Sequence, residues 1–159
     1  MTEEYDRYRY EKAREWLEHV RDLGVEANRI QGLVESERAM LDGVRGIDYT
    51  VEHVSGTRDV PDLADLVDRL FAHIREYTAS LSAYTDERMK AARALDGLDN
   101  AKERQVLTMY YLLGRTWGEA ADEMDYSVQR VMQIRKDAVL HAFDIMPHAW
   151  RDPVHPATW

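Results

Sequence analysis

Val67, Leu70, Ile74, Tyr77, Leu81, Tyr84, Arg88, Ala91 and Leu95 follow one another at spacings of 3, 4, 3, 4, 3, 4, 3 and 4 residues. A strand repeats its buried face every second residue, so this period fits a helix. The alternation of three and four is the seam of a helix packed lengthwise on other helices. It predicts a long helix over about 61–95, with Pro61 in the first turn, where its missing N–H costs nothing, and one polar break at Arg88. Two upstream stretches offer partner stripes. Ala13, Trp16, Leu17, Val20 and Leu23 share a face of a helix expected over 3–23, with Gly24 as its stop. Ile30, Leu33, Val34, Met40, Leu41 and Val44 share a face of a second over 25–44, ended by Gly43 and Gly46. The expectation for residues 1–96 is an antiparallel three-helix, coiled-coil-like bundle. Pairing of the heptad helix with a second copy, giving a homodimer, is the alternative use of the same seam. The stretch GIDYTVEHVSGTRDV between them reads as an ordered loop, because its alternating YTVEHV has no second strand to pair with.

Composition supports an all-α protein. Of 159 residues, 45% are hydrophobic and 32% charged, with four prolines and eight glycines, the balance of a folded and helix-rich chain. There is no cysteine, so disulfide and thiolate chemistry are excluded and a reducing compartment such as the bacterial cytoplasm is expected. No window approaches the ~20 apolar residues of a membrane span, and the charged start, MTEEYDRYRYEK, is not a secretory signal.

Residues 97–143 carry a second, shorter pattern. After DGLDN at 96–100, a helix is expected over 101–113, with Val106, Leu107, Tyr110 and Tyr111 inward and Gly114 closing it. Thr116 is placed to N-cap a short helix, with Glu119 at the capping-box position. Trp117, Ala120, Ala121 and Met124 form its inner face, and the alanines permit a close helix crossing. Asp125 and Tyr126 make a turn, and Ser127 caps a further helix whose Val131, Ile134 and Ala138 pack back. Such a pair of helices is the outline of a helix-turn-helix, whose second helix enters the DNA major groove.

At about 100° per residue, Gln129, Gln133 and Lys136 fall on the face opposite that inner stripe, with Arg130 and Met132 on its flanks. Glutamine can pair with the adenine edge in bidentate fashion, and lysine or arginine can contact guanine or phosphate. Arg115 and Lys136 are candidate phosphate contacts, which position without specifying sequence. The candidate DNA-binding set is Arg115, Ser127, Gln129, Arg130, Met132, Gln133 and Lys136. A solvated polar face between packed helices would look the same without any function.

The stretch LDNAKERQVLTMYYLLGRTWGEAADEMDYSVQRVMQIRKDAVLHAF resembles region 4 of sigma-70-type factors. The resemblance rests on Leu98, Arg104, Val106, Leu107, Tyr110, Trp117, Glu119, Ala121, Met124, Tyr126, Ser127, Val131, Ile134, Ala138 and Leu140. The sequence departs from the family pattern at Asp125, where the turn residue is usually glycine, and at Ala120, usually isoleucine. In layout, with about ninety residues of helix before this motif, the chain resembles phage transcriptional regulators of the RinA/ArpU type. That resemblance implies phage-encoded control of transcription, with double-stranded promoter DNA and RNA polymerase as partners.

Charge bears on this reading. The net charge is −9, of which −7 lies in residues 1–96, while Ser127 to Phe143 is locally basic. Broad non-specific binding to nucleic acid is therefore not expected, whereas one basic helix can still act. Two rival functions fit the same layout: a protein-interaction module that contacts polymerase or a phage partner without DNA, and a small-terminase-like packaging protein built on a ring. A complete sigma factor does not fit. DLADLVDRLF at 62–71 loosely resembles the core-binding helix of region 2, but too few residues follow it for a promoter-melting helix and linker.

No catalytic constellation, Gly-rich phosphate loop or cofactor motif is present, so no enzymatic activity and no cofactor are expected. His141, His148 and His155 are spaced by seven, but Pro147 and Pro153 break any shared helical face, and no ligand set has zinc spacing. The tail from 144 to 159 is expected to lay Trp150 and Trp159 on the chain's own helices.

Overall fold

The computed structural model describes residues 2–50 and 59–151, and all the regular structure among them is helical. The elements are α1 (Thr2–Thr50), α2 (Asp59–Leu95), α3 (Ala101–Leu107), a π-helical turn (Thr108–Leu112), α4 (Trp117–Met124), α5 (Val128–Ala142) and α6 (His148–Arg151). The protein is all-α. The loop expected at 46–60 is in part helical, since α1 extends to Thr50 and α2 begins at Asp59; residues 51–58 lie outside the described residues.

The break expected at Gly24 does not occur. α1 passes through Gly24 and Gly43 without interruption, so two long helices stand where the sequence predicts three. The apolar register explains the continuity. Ala13, Trp16, Val20, Leu23, Ala27, Ile30, Val34, Glu37, Leu41 and Val44 keep the alternation of three and four with no slip at Gly24, and all but Glu37 and Val44 are buried. A glycine inside a helix costs about 1 kcal/mol relative to alanine, and each leucine or isoleucine fully buried returns about 1.5–3 kcal/mol. One stripe in register outweighs one poor helix former. Gly24 also faces the polar break in α2: a Cβ built there would lie 3.4 Å from Arg88 Nε.

Contacts divide the chain into two compact units. Glu26–Tyr84 forms one of them. Among the described residues, Ala27, Ile30, Val34, Leu41 and Leu70 are buried in it, and Glu37 meets His73 Nδ1 at 3.5 Å. The other α2 seam positions in this unit, Val67, Ile74, Tyr77, Leu81 and Tyr84, are half-buried.

The other unit joins the chain up to Val25 to the chain from Thr85 onward. Its main core gathers Ala13, Trp16, Leu17 and Val20 of α1 and Ala91 and Leu95 of α2. Leu98, Leu107 and Tyr111 join them, with Ala138, Val139, Ala142 and Met146. Residues up to Val25 therefore share a core with the helix-turn-helix elements, although the sequence assigns them to a separate N-terminal lobe. Trp150 is half-buried against this core, its ring 5.0 Å from that of His19, as expected for the tail; Trp159 and His155 lie outside the described residues.

Candidate nucleic-acid interface

The caps that frame the helix-turn-helix form as the sequence requires. The Thr116 hydroxyl accepts from the Glu119 N–H at 3.1 Å, and the Ser127 hydroxyl accepts from the Arg130 N–H at 3.1 Å, each satisfying an orphan donor of a first turn. Between them Asp125 takes the left-handed conformation at φ 57° and ψ 42°. The turn is closed by the Tyr126 N–H, which donates to the Ala121 carbonyl at 3.0 Å. Gly114, at φ 69°, ends the preceding helix. A small core of Val106, Ala121, Val131 and Ile134 locks α3, α4 and α5 together, with Trp117, Met124 and Tyr126 packed around it.

A layered aromatic arrangement fixes the start of α4. The Arg21 guanidinium lies 3.9 Å from the Tyr110 ring centroid, and Tyr110 stacks on Trp117. Arg135 of α5 sits 5.1 Å from the Trp117 ring and donates through Nε and Nη2 to the Tyr111 hydroxyl at 3.3 and 3.2 Å. Arg21 also donates to the carbonyls of Tyr110 and Arg115, and Arg88 donates to that of Leu112. These carbonyls close the π-helical turn and the residues after it, where intrahelical partners run out. Burial pushes the Tyr111 phenol above its ordinary value of 10.0, against the opposing effect of Arg135. Arg135, cationic and next to Lys136, is thus held inward.

The sequence-predicted residues separate by environment. Ser127, Gln129, Arg130, Gln133 and Lys136 are exposed, while Val131, Ile134 and Ala138 on the same helix are buried, so the outer strip of α5 is where the helical period puts it. Met132 is half-buried at the side of a groove of about 550 Å³. One wall of that groove is α1, through Glu3, Asp6, Arg7 and Tyr10; the other is α5, through Met132, Arg135, Lys136, Asp137 and Leu140. Arg115 is half-buried and pairs with Glu123 at 3.2 Å, its side chain still 43% exposed.

Lys102 is a cation that the sequence reading passes over. It stands in the first turn of α3, two residues after the N-cap Asn100, with Nζ 5.3 Å from the Tyr126 ring. It lines a small hollow with Arg130 on the opposite flank of α5 from Met132. No spacing in the sequence relates position 102 to 130; only the packing of α3 on α5 brings them together.

The model of the family "Sigma-70, region 4" matches residues 94–141. This segment is a sigma-70 region 4-like helix-turn-helix. The region 4-like segment takes in the end of α2 and all of α3, α4 and nearly all of α5, and leaves most of the two long helices outside the match. The family is one of DNA-binding domains and not of enzymes. No curated protein and no solved structure matches the chain.

Within the region 4-like segment, the one buried charged side chain among the described residues is Glu103, which meets His141 Nδ1 at 2.8 and 3.1 Å. His141, the first of the three histidines spaced by seven, thus serves as a hydrogen-bond partner of Glu103, bracing α3 on α5. Among the described residues no cluster of metal-ligand type is found, and no helix is long and apolar enough to cross a membrane.

Proposed function

We propose that the protein is a sequence-specific, DNA-binding regulator of transcription of phage type, acting in the bacterial cytoplasm, with α5 as the helix that enters the major groove. The observation that carries this reading is the exposed strip Gln129, Gln133 and Lys136, borne on a helix whose opposite face is locked into a region 4-like core. Gln129 and Gln133 lie in the N-terminal half of α5, where a recognition helix contacts base edges. Arg130 and Lys136 supply phosphate contacts. RNA polymerase is the partner that a region 4-like regulator would address, and the half-buried seam positions Val67, Ile74, Tyr77, Leu81 and Tyr84 of α2 support a homodimer.

Selection from a random duplex library at about 150 mM salt, where non-specific binding is weak, tests the reading. The wild type is expected to enrich a motif, and Gln129→Ala/Gln133→Ala to lose it. Enrichment of nothing by either protein would overturn the assignment.

One observation favours a second reading, a protein-interaction module without DNA. The exposed acids Asp122, Glu123 and Asp125 crowd α4 and its turn, and Glu123 pairs with Arg115 at 3.2 Å. On that reading the double alanine variant keeps full function, and co-purification with polymerase replaces DNA enrichment as the positive result.

A further inference from the structure

Val128 opens α5 and is 48% exposed, a large apolar side chain left in solvent at the start of the helix assigned to the groove. Neither core cluster includes it. Local structure does not account for it either. Valine is a poorer helix former than alanine. The first turn of a helix favours carboxylates, and those of α3 and α4 carry Glu103 and Glu119, yet the first turn of α5 holds no acid. Met132, half-buried, stands one turn after Val128, and Gln133 stands one turn after Gln129. Residues four apart are neighbours on a helix surface. The start of α5 therefore presents an apolar column, Val128 and Met132, beside an amide column, Gln129 and Gln133.

We infer that Val128, continued by Met132, is a specificity-determining residue that packs on the C5-methyl groups of thymine, so that α5 selects A·T pairs by two chemistries at once. The inference rests on the DNA-binding reading above and deepens it by naming the bases. In the major groove an A·T pair offers the N6 and N7 edge of adenine, which glutamine takes in bidentate fashion, and the methyl group of thymine, which takes an apolar contact. The two columns of α5 match these two groups. A G·C pair in the same place offers no methyl, and its polar edge would lose water against valine without gaining a hydrogen bond. Position suits the role, because the N-terminal residues of a recognition helix are those that reach base edges. The Ser127 hydroxyl, by accepting from the Arg130 N–H at 3.1 Å, fixes the backbone around Val128. A β-branched side chain is stiff at χ1, so its methyl groups are presented in one orientation and little freedom is lost on contact.

The test titrates the wild type and Val128→Ala with the duplex recovered by the selection above, and with copies in which uracil replaces one thymine at a time, at about 150 mM salt. Uracil lacks the C5-methyl and is otherwise the same base, so the exchange removes the contact and no hydrogen bond. Val128 is exposed and alanine is the better helix former, so α5 should persist in the variant, which circular dichroism verifies. At one or more positions uracil is expected to weaken the wild type about three- to tenfold, the order for burying a methyl group against an apolar side chain. Val128→Ala should bind the parent duplex more weakly by a similar factor. It should also lose the uracil penalty at one of those positions, any other penalty remaining with Met132. The cycle of the two changes isolates their coupling; a purely structural effect of the substitution would weaken thymine and uracil duplexes equally. A selected motif without thymine, a wild type indifferent to uracil at every position, or a Val128→Ala that keeps every thymine-to-uracil ratio overturns the inference and leaves the function standing. Failure of the wild type to enrich any duplex removes the DNA-binding reading itself and this inference with it.

Discussion

The Tyr110 ring lies flat on Trp117, with centroids 3.7 Å apart and planes 7° from parallel. Tyr110 lies in the π-helical turn that precedes the helix-turn-helix and Trp117 opens α4, so one stacked pair sets how the chain enters the motif. Replacing Trp117 by alanine removes this stack, the edge contact with Tyr111 and the surface on which Arg135 rests. A loss of about 2–4 kcal/mol is expected, read as a lower urea midpoint by circular dichroism. Trp117→Phe, which keeps a ring for Tyr110, should lose less.

Gly24 gives a prediction with a sign that depends on size. Its φ is helical, and an alanine Cβ would sit at van der Waals distance from Arg88, 3.4 Å from Nε and 3.5 Å from Cζ. Gly24→Ala should therefore stabilise the protein by about 0.5–1 kcal/mol through helix propensity. Gly24→Leu should destabilise it, because the longer side chain displaces Arg88 from the Leu112 carbonyl. Thermal melting of the pair separates the two effects.

Asp125 occupies a left-handed position, at φ 57° and ψ 42°. Asp125→Ala should cost about 1 kcal/mol, since alanine has neither glycine's freedom nor aspartate's local hydrogen bonding at φ 57°. Asp125→Gly should be close to neutral in stability, with relief of backbone strain set against greater freedom of the unfolded chain. Denaturant unfolding of both variants provides the comparison.

Tyr111 predicts an alkaline limit. Its phenol is raised above the unfolded value of 10.0 by burial, so the folded state favours the neutral form. That contribution is whole below pH 10.0 and is lost as the pH climbs through the higher folded value. Stability measured across this range should fall in the wild type and fall less steeply in Tyr111→Phe, which has no phenol to ionise.

The readable parts of the sequence were those in which one residue acts on its near neighbours. Thr116, Ser127 and Asp125 announce their caps and turn because each bonds within three or four positions of itself, and the outer strip of α5 follows from the helical period alone. The unbroken α1 was legible as well, but in the register from Leu23 to Ala27 to Ile30 and not in the local punctuation at Gly24, which points the other way. What the sequence did not disclose depends on contact between distant stretches. Nothing near Lys102 indicates Arg130, nothing near Glu3 indicates Lys136, and the inward turn of Arg135 requires Tyr111 and Trp117 to be in place. The pairing of Arg115 with Glu123, eight positions away at the far end of α4, likewise depends on the fold.

Arg21 and Arg88 close the carbonyl ends of the helix leading into the motif, and both come from outside the 94–141 match. The recognisable segment is therefore not a self-sufficient cassette. Grafted behind unrelated helices it would arrive with bare carbonyls at Tyr110 and Leu112, unless the new host happened to offer guanidinium groups at the same two places. A transplant that kept the motif folded would have to bring these two arginines with it.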